Sequence, residues 1–95
     1  MNSESFMNKF LTEFKENVAI QDRKYNAITY KKCFIASEAI DWFCYYLKLH
    51  RKTAEFLGEL LYFKRKIMHV TDANNFRDEF LYFKINENEE EEEEN

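Results

Sequence analysis

Two histidines, two cysteines and a scatter of carboxylates and lysines are the groups in this chain that could do chemistry. A metal or thiol centre needs soft or imidazole ligands grouped at short spacings. Cys33 and Cys44 fall into no such pattern, and they read as reduced packing residues. His69 has no Cys, His or Asp partner at ligand spacing, and His50 reads as a surface residue at the start of a helix. Glu38 and Asp41 lie three apart on one helical face, where negative charge at the helix start accounts for them without acid–base work. A phosphate-cradling loop is excluded by the single glycine. The expectation is therefore a non-enzymatic chain with no metal and no cofactor.

The cations carry more information. Residues 22–66 hold ten Lys or Arg against five Asp or Glu, while residues 86–95 add seven Glu and no cation. A net charge of −4 thus conceals a mildly basic body with an acidic end. Arg23, Lys24, Lys31 and Lys32 fall on one segment, and Lys48, Arg51 and Lys52 on a second. If the fold brings the two segments to one end, these seven make a basic surface for an anionic partner.

The positioning elements follow from periodicity. Phe6, Met7, Phe10, Leu11 and Phe14 recur at helical steps over residues 5–16. Residues 18–35 read as two strands around a polar tip at 22–27. Without Asn-Gly or Asp-Gly in that segment, a longer connection is expected rather than a tight hairpin, and with it a minor domain-swapped dimer beside the monomer. Ser37 is the expected cap of a central helix, on which Ala36, Ala39, Ile40, Phe43 and Leu47 make one apolar stripe beside Trp42 and Tyr46.

A third helix is expected over residues 51–66, with Ala54, Leu57, Leu60 and Leu61 on one face. Phe56 and Phe63 lie on another, and Gly58 would permit close approach to the central helix. Strands at 67–71 and 80–85, joined through Asp72, Asn74 and Asn75, complete a wing. The architecture is α+β and winged-helix-like: a three-helix core, a β-arm between the first two helices, and a C-terminal wing. Phe10, Phe14, Ile40, Trp42, Phe43, Leu57 and Leu61 are its expected core. Residues 1–85 form the domain, and residues 86–95 a disordered acidic tail. No stretch reaches the ~20 apolar residues of a membrane span, nor is there a signal-peptide core, so a cytoplasmic chain is expected.

The run FIASEAIDWF at 34–43 resembles the signature of the DEP domain, whose central helix opens F-x-G-S-E-A-V-D-W. Phe34, Ser37, Glu38, Ala39, Asp41 and Trp42 match, and Ala36 stands where the family usually has glycine. The likeness continues through Arg51, Ala54, Leu57, Gly58, Ile67, His69, Val70 and Phe76 to LYFKI at 81–85, covering residues 6–85. The resemblance implies an interaction module of intracellular signalling proteins, among them G-protein regulators. It would help recruit its parent to membranes, through acidic phospholipids or a membrane receptor, with the seven cations as the contact surface. The alternatives are a protein-docking or dimerisation role without lipid, and nucleic-acid binding through the third helix. Glu55 and Glu59 oppose the latter.

Overall fold

The computed structural model describes residues 3–87, with α1 at Ser3–Asn17, β1 at Gln21–Tyr25, β2 at Ile28–Ile35, α2 at Ala36–Leu47, α3 at Arg51–Phe63, β3 at Ile67–His69 and β4 at Tyr82–Ile85. All strand pairings are antiparallel, in the order β1-β2-β4-β3. β2 pairs with β4 only through Phe34 and Ile35, so its earlier residues project with β1 as an arm. Among the described residues no helix is long and apolar enough to cross a membrane. Most of the acidic tail read from the sequence lies outside the described residues. Asn86 and Glu87, counted with that tail, are placed. The Asn86 amide donates to the Lys66 carbonyl at 2.9 Å, and its side chain donates to the Arg65 carbonyl at 2.8 Å.

The core is largely aromatic because α1 and α2 face each other with rings. Phe14 meets Phe34 edge-on at 4.9 Å and Trp42 at 5.7 Å, while Phe10 lies 5.5 Å from Trp42 and 5.7 Å from Phe43. Edge and tilted arrangements at these separations add to what area burial alone supplies. Phe10, Phe14, Ile40, Trp42, Phe43 and Leu61 are buried; Leu57 is half-buried against the same cluster. Leu60, Phe56 and Phe63 point to solvent.

Local chemistry differs from the sequence expectation at four places. Ile35, not Ser37, stands at the N-cap of α2, and no side chain caps the helix. The helix follows β2 without a loop, so its first amides reach backbone carbonyls directly. Ala36 donates to Leu81 at 2.9 Å and Ser37 to Glu79 at 3.1 Å, which removes the need for a hydroxyl.

At the arm, Tyr25 pairs with Ile28 across a two-residue turn in which Asn26 and Ala27 have φ of 52° and 67°. That is a tight hairpin of the type that normally carries Asn-Gly. Alanine in the glycine place hid the turn, and the motive for domain swapping goes with the long loop. Third, Val18 does not begin a strand. It is buried just past α1, its amide bonded to the Phe14 carbonyl at 2.9 Å, and β1 starts at Gln21.

The fourth concerns Gly58, where the nearest neighbour is a ring of the β3–β4 connection rather than the central helix. A β-carbon there would overlap the ring of buried Phe76, from the β3–β4 connection. Just past α3, Arg65 adopts φ 63°, a conformation that glycine usually supplies at a helix end. Its amide and that of Lys66 close the helix on the carbonyls of Tyr62 and Leu61, at 3.0 and 2.9 Å.

Candidate interaction surface

Arm residues reach the body of the sheet through an irregularity in β2. Register shifts between Gln21 and Arg23, so that Lys31 and Lys32 bulge opposite Asp22, with Lys32 at φ 51°. The Asp22 carboxylate accepts the Lys32 amide at 3.0 Å and lies 3.5 Å from the Lys31 ammonium. Those contacts, the amide first, hold the Asp22 carboxyl below its ordinary value. The bulge turns the two lysines to a groove of about 570 Å³. Lys15 of α1 and Lys84 of β4 line it too, with Ile20, Met68 and Ile85 as its apolar lining and Glu87 as the one carboxylate among the described residues that line it. Glu87 lies 3.6 Å from Lys15, both groups well exposed. Among the described residues, Lys32 and Lys84 have no carboxylate within ion-pair distance.

The other five cations read from the sequence do not line this groove. Arg23 braces the arm: its guanidinium donates to the carbonyls of Cys33 and Ala19, each at 3.2 Å, and lies 5.9 Å from the Tyr82 ring centre. Lys24 is exposed on the edge strand β1. Lys48 closes α2 in a left-handed conformation, its ammonium 5.0 Å from the Tyr45 ring centre. Arg51 is a clamp between elements. It donates to Asp41 at 2.6 Å, to both oxygens of Asp78 at 2.7 and 3.0 Å, and to the Ser37 carbonyl at 3.2 Å. These bonds raise the Arg51 pKa above its usual value and hold the Asp78 carboxyl below its own. Lys52 lies 3.9 Å from Glu55, which accepts the Asp78 amide at 2.8 Å.

Lys15 and Lys84 were missed as members of a surface. Lys84 alternates with inward Phe83 and Ile85, which marks it as facing away from the core. Lys15 carried no signal, because only the folded position of α1 brings it to the strand ends.

Two of the groups that could do chemistry, Cys33 and His69, are buried. Burial pushes the Cys33 thiol above its ordinary pKa, which leaves it protonated and unreactive. His69 is buried and its Nδ1 accepts the amides of Thr71 and Ala73, at 3.2 and 3.3 Å. Burial lowers its pKa. Among the described residues no cluster of His, Cys, Asp or Glu could hold a metal ion.

Three helices on an antiparallel sheet, with a hairpin arm and a terminal wing, define a winged-helix-like α+β domain whose distinctive surface is a lysine-lined groove. The family described as "Domain found in Dishevelled, Egl-10, and Pleckstrin (DEP)" matches residues 17–85, and the chain belongs to it as a signalling interaction module. It is also 34% identical over 67 residues to the human phosphatidylinositol 3,4,5-trisphosphate-dependent Rac exchanger 2 protein. That match covers 70% of this chain and 4% of the exchanger's length.

Proposed function

We propose that this module helps bring its parent protein to membranes by seating anionic lipid headgroups in the groove of Lys15, Lys31, Lys32 and Lys84. The observation that carries the reading is that four lysines from three elements line one groove, two of them with no carboxylate within ion-pair distance among the described residues. A flexible ammonium suits phosphate as a point charge. Each such cation near an anionic leaflet contributes about 1 kcal/mol, falling off within a Debye length of about 8–10 Å. Four together give weak, salt-sensitive attachment, suited to orienting a protein held nearby by other domains. The relative's name ties that exchanger to a polyphosphorylated inositol lipid, a ligand of the kind such a groove would fit.

Co-sedimentation with anionic and neutral vesicles tests the reading. Binding should require anionic lipid, weaken with salt, and fall by at least about tenfold in Lys31→Glu with Lys32→Glu, two charge reversals at about 1 kcal/mol per charge. Lys52→Glu, outside the groove, should change it little. Glu87→Gln removes the one carboxylate that lines the groove among the described residues and should strengthen it at low salt. Binding indifferent to lipid charge and to the Lys31 and Lys32 substitutions would refute the lipid reading. An acidic segment of a receptor would then be the better partner for the same groove.

A further inference from the structure

The arm and the wing enclose a second groove, of about 490 Å³, with no Asp, Glu, Lys or Arg among the described residues that line it. Its walls include Tyr25, Ile28 and Tyr30 of the arm, and Phe80 and Tyr82 of the wing. Three of these are far more exposed than large apolar residues ordinarily are in company: Tyr25 by 61%, Ile28 by 55% and Phe80 by 69%. Scattered exposed apolar side chains need no explanation, but a cluster on one rim does. Tyr25 and Ile28 are a cross-strand pair at the last rung before the turn, so they form the apex of the arm. The apex is presented stiffly, because Arg23 ties β1 to Ala19, Cys33 and the Tyr82 ring.

Building on the headgroup reading above, we infer that this rim enters the interfacial zone of the bilayer while the lysines hold headgroups. The arrangement of charge selects this occupant. Lys24 precedes Tyr25, and Lys31 and Lys32 follow Tyr30 on the same hairpin, so cations flank the apolar apex while none enters its groove. Phosphates meet ammoniums at the depth where tyrosine rings settle, with the ring in the apolar boundary and the hydroxyl in the headgroup layer. Ile28 and Phe80 then bury apolar surface without stripping water from any charge. A short two-residue turn limits the ordering needed on entry.

The experiment places a reporter at the apex. Ile28→Trp is mixed with vesicles of phosphatidylcholine alone or with phosphatidylserine, with and without brominated acyl chains, and compared with the parent, whose Trp42 is buried. With anionic vesicles the introduced indole should shift to the blue and be quenched by bromine. Tyr25→Ser with Phe80→Ser should lower partitioning about tenfold (about 1.4 kcal/mol), and the remaining binding should vanish at high salt. If the chain sediments with anionic vesicles while the indole is neither shifted nor quenched, insertion is refuted and headgroup binding stands. If the unsubstituted chain does not sediment at all, the headgroup reading falls, and the inference with it.

Discussion

Replacing the single glycine with alanine sets two opposed effects against each other, and the structure decides between them. Gly58 lies inside α3 with no left-handed backbone requirement, so propensity alone predicts that Gly58→Ala stabilises by about 1 kcal/mol. The new methyl, however, would sit 2.6 Å from Cζ of Phe76 and nearer still to Cε1 and Cδ1. Ordinary carbon contact begins at about 3.5 Å, so the ring must retreat by about 1 Å or more. Phe76 is 1% exposed and packs edge-on against Phe83 at 5.2 Å, which leaves it little room to do so.

Overpacking a close-packed site costs about 1–3 kcal/mol, and expelling a phenyl ring altogether about 3–5 kcal/mol. The expected net loss is about 1–3 kcal/mol, a large share of the stability of a chain this short. Urea unfolding followed by Trp42 fluorescence measures it. The companion variant is Gly58→Ala in a Phe76→Ala background, where the clash is gone. There the same alanine should be neutral or stabilising by up to about 1 kcal/mol. A raised midpoint for Gly58→Ala alone would refute the packing argument.

Ala27, at φ 67°, occupies the place of a turn glycine, and relief of left-handed strain should outweigh the extra chain entropy of glycine. Ala27→Gly is expected to stabilise by about 0.5–1 kcal/mol and to slow amide exchange at the arm; an unchanged or lower midpoint would count against the turn. His69 should make stability fall in acid. Its folded-state pKa is depressed by burial, so below about 6.5 the unfolded chain takes the proton first and draws the equilibrium toward unfolding. Asp72 opposes this depression and Arg77 adds to it. Protonation would also end the acceptance of the Thr71 and Ala73 amides by Nδ1. The urea midpoint should therefore drop between about pH 7 and pH 5 in the parent, and drop less in His69→Gln, while a loss equal in both chains would clear the imidazole.

The elements were readable because apolar spacing reports which face of a helix or strand meets the core. Phe10, Phe14, Ile40, Trp42, Phe43 and Leu61 are buried on the faces that their periodicity marks. What the sequence concealed was every relation fixed by tertiary contact. Arg51 reads as a loop cation until Asp78, 27 residues away, is found beside it. Lys84 reads as a strand residue until the order β1-β2-β4-β3 puts it next to the bulge. Grouping the cations by segment therefore joined Arg23, Lys24, Lys48, Arg51 and Lys52 to Lys31 and Lys32, although none of those five lines the groove, and it left out Lys15 and Lys84, which do. The resemblance to the family's signature located the fold and could not correct this, since its motif residues are mostly those that build the core and its clamps.

Backbone conformation links the groove to the composition of the chain. Among the described residues, six that are not glycine adopt positive φ, namely Asn26, Ala27, Lys32, Lys48, Arg65 and Asp72, while the one glycine is spent on space for Phe76. Left-handed backbone costs an ordinary residue about 1–2 kcal/mol relative to a right-handed one, and glycine escapes most of this. At Lys48 and Arg65 the strain closes a helix. At Lys32 it forms a bulge stitched by Asp22, and both lysines of the bulge line the groove. Glycine at that position would relax the chain and delete one of the two groove cations that have no carboxylate within ion-pair distance among the described residues. Lysine does the reverse, keeping charge where the backbone is strained. Strain of this kind persists where the surrounding structure enforces it, and it gathers at functional sites. On the headgroup proposal, the strained bulge at Lys32 is the backbone feature that sets the lysine groove, and its strain is the local cost of that surface.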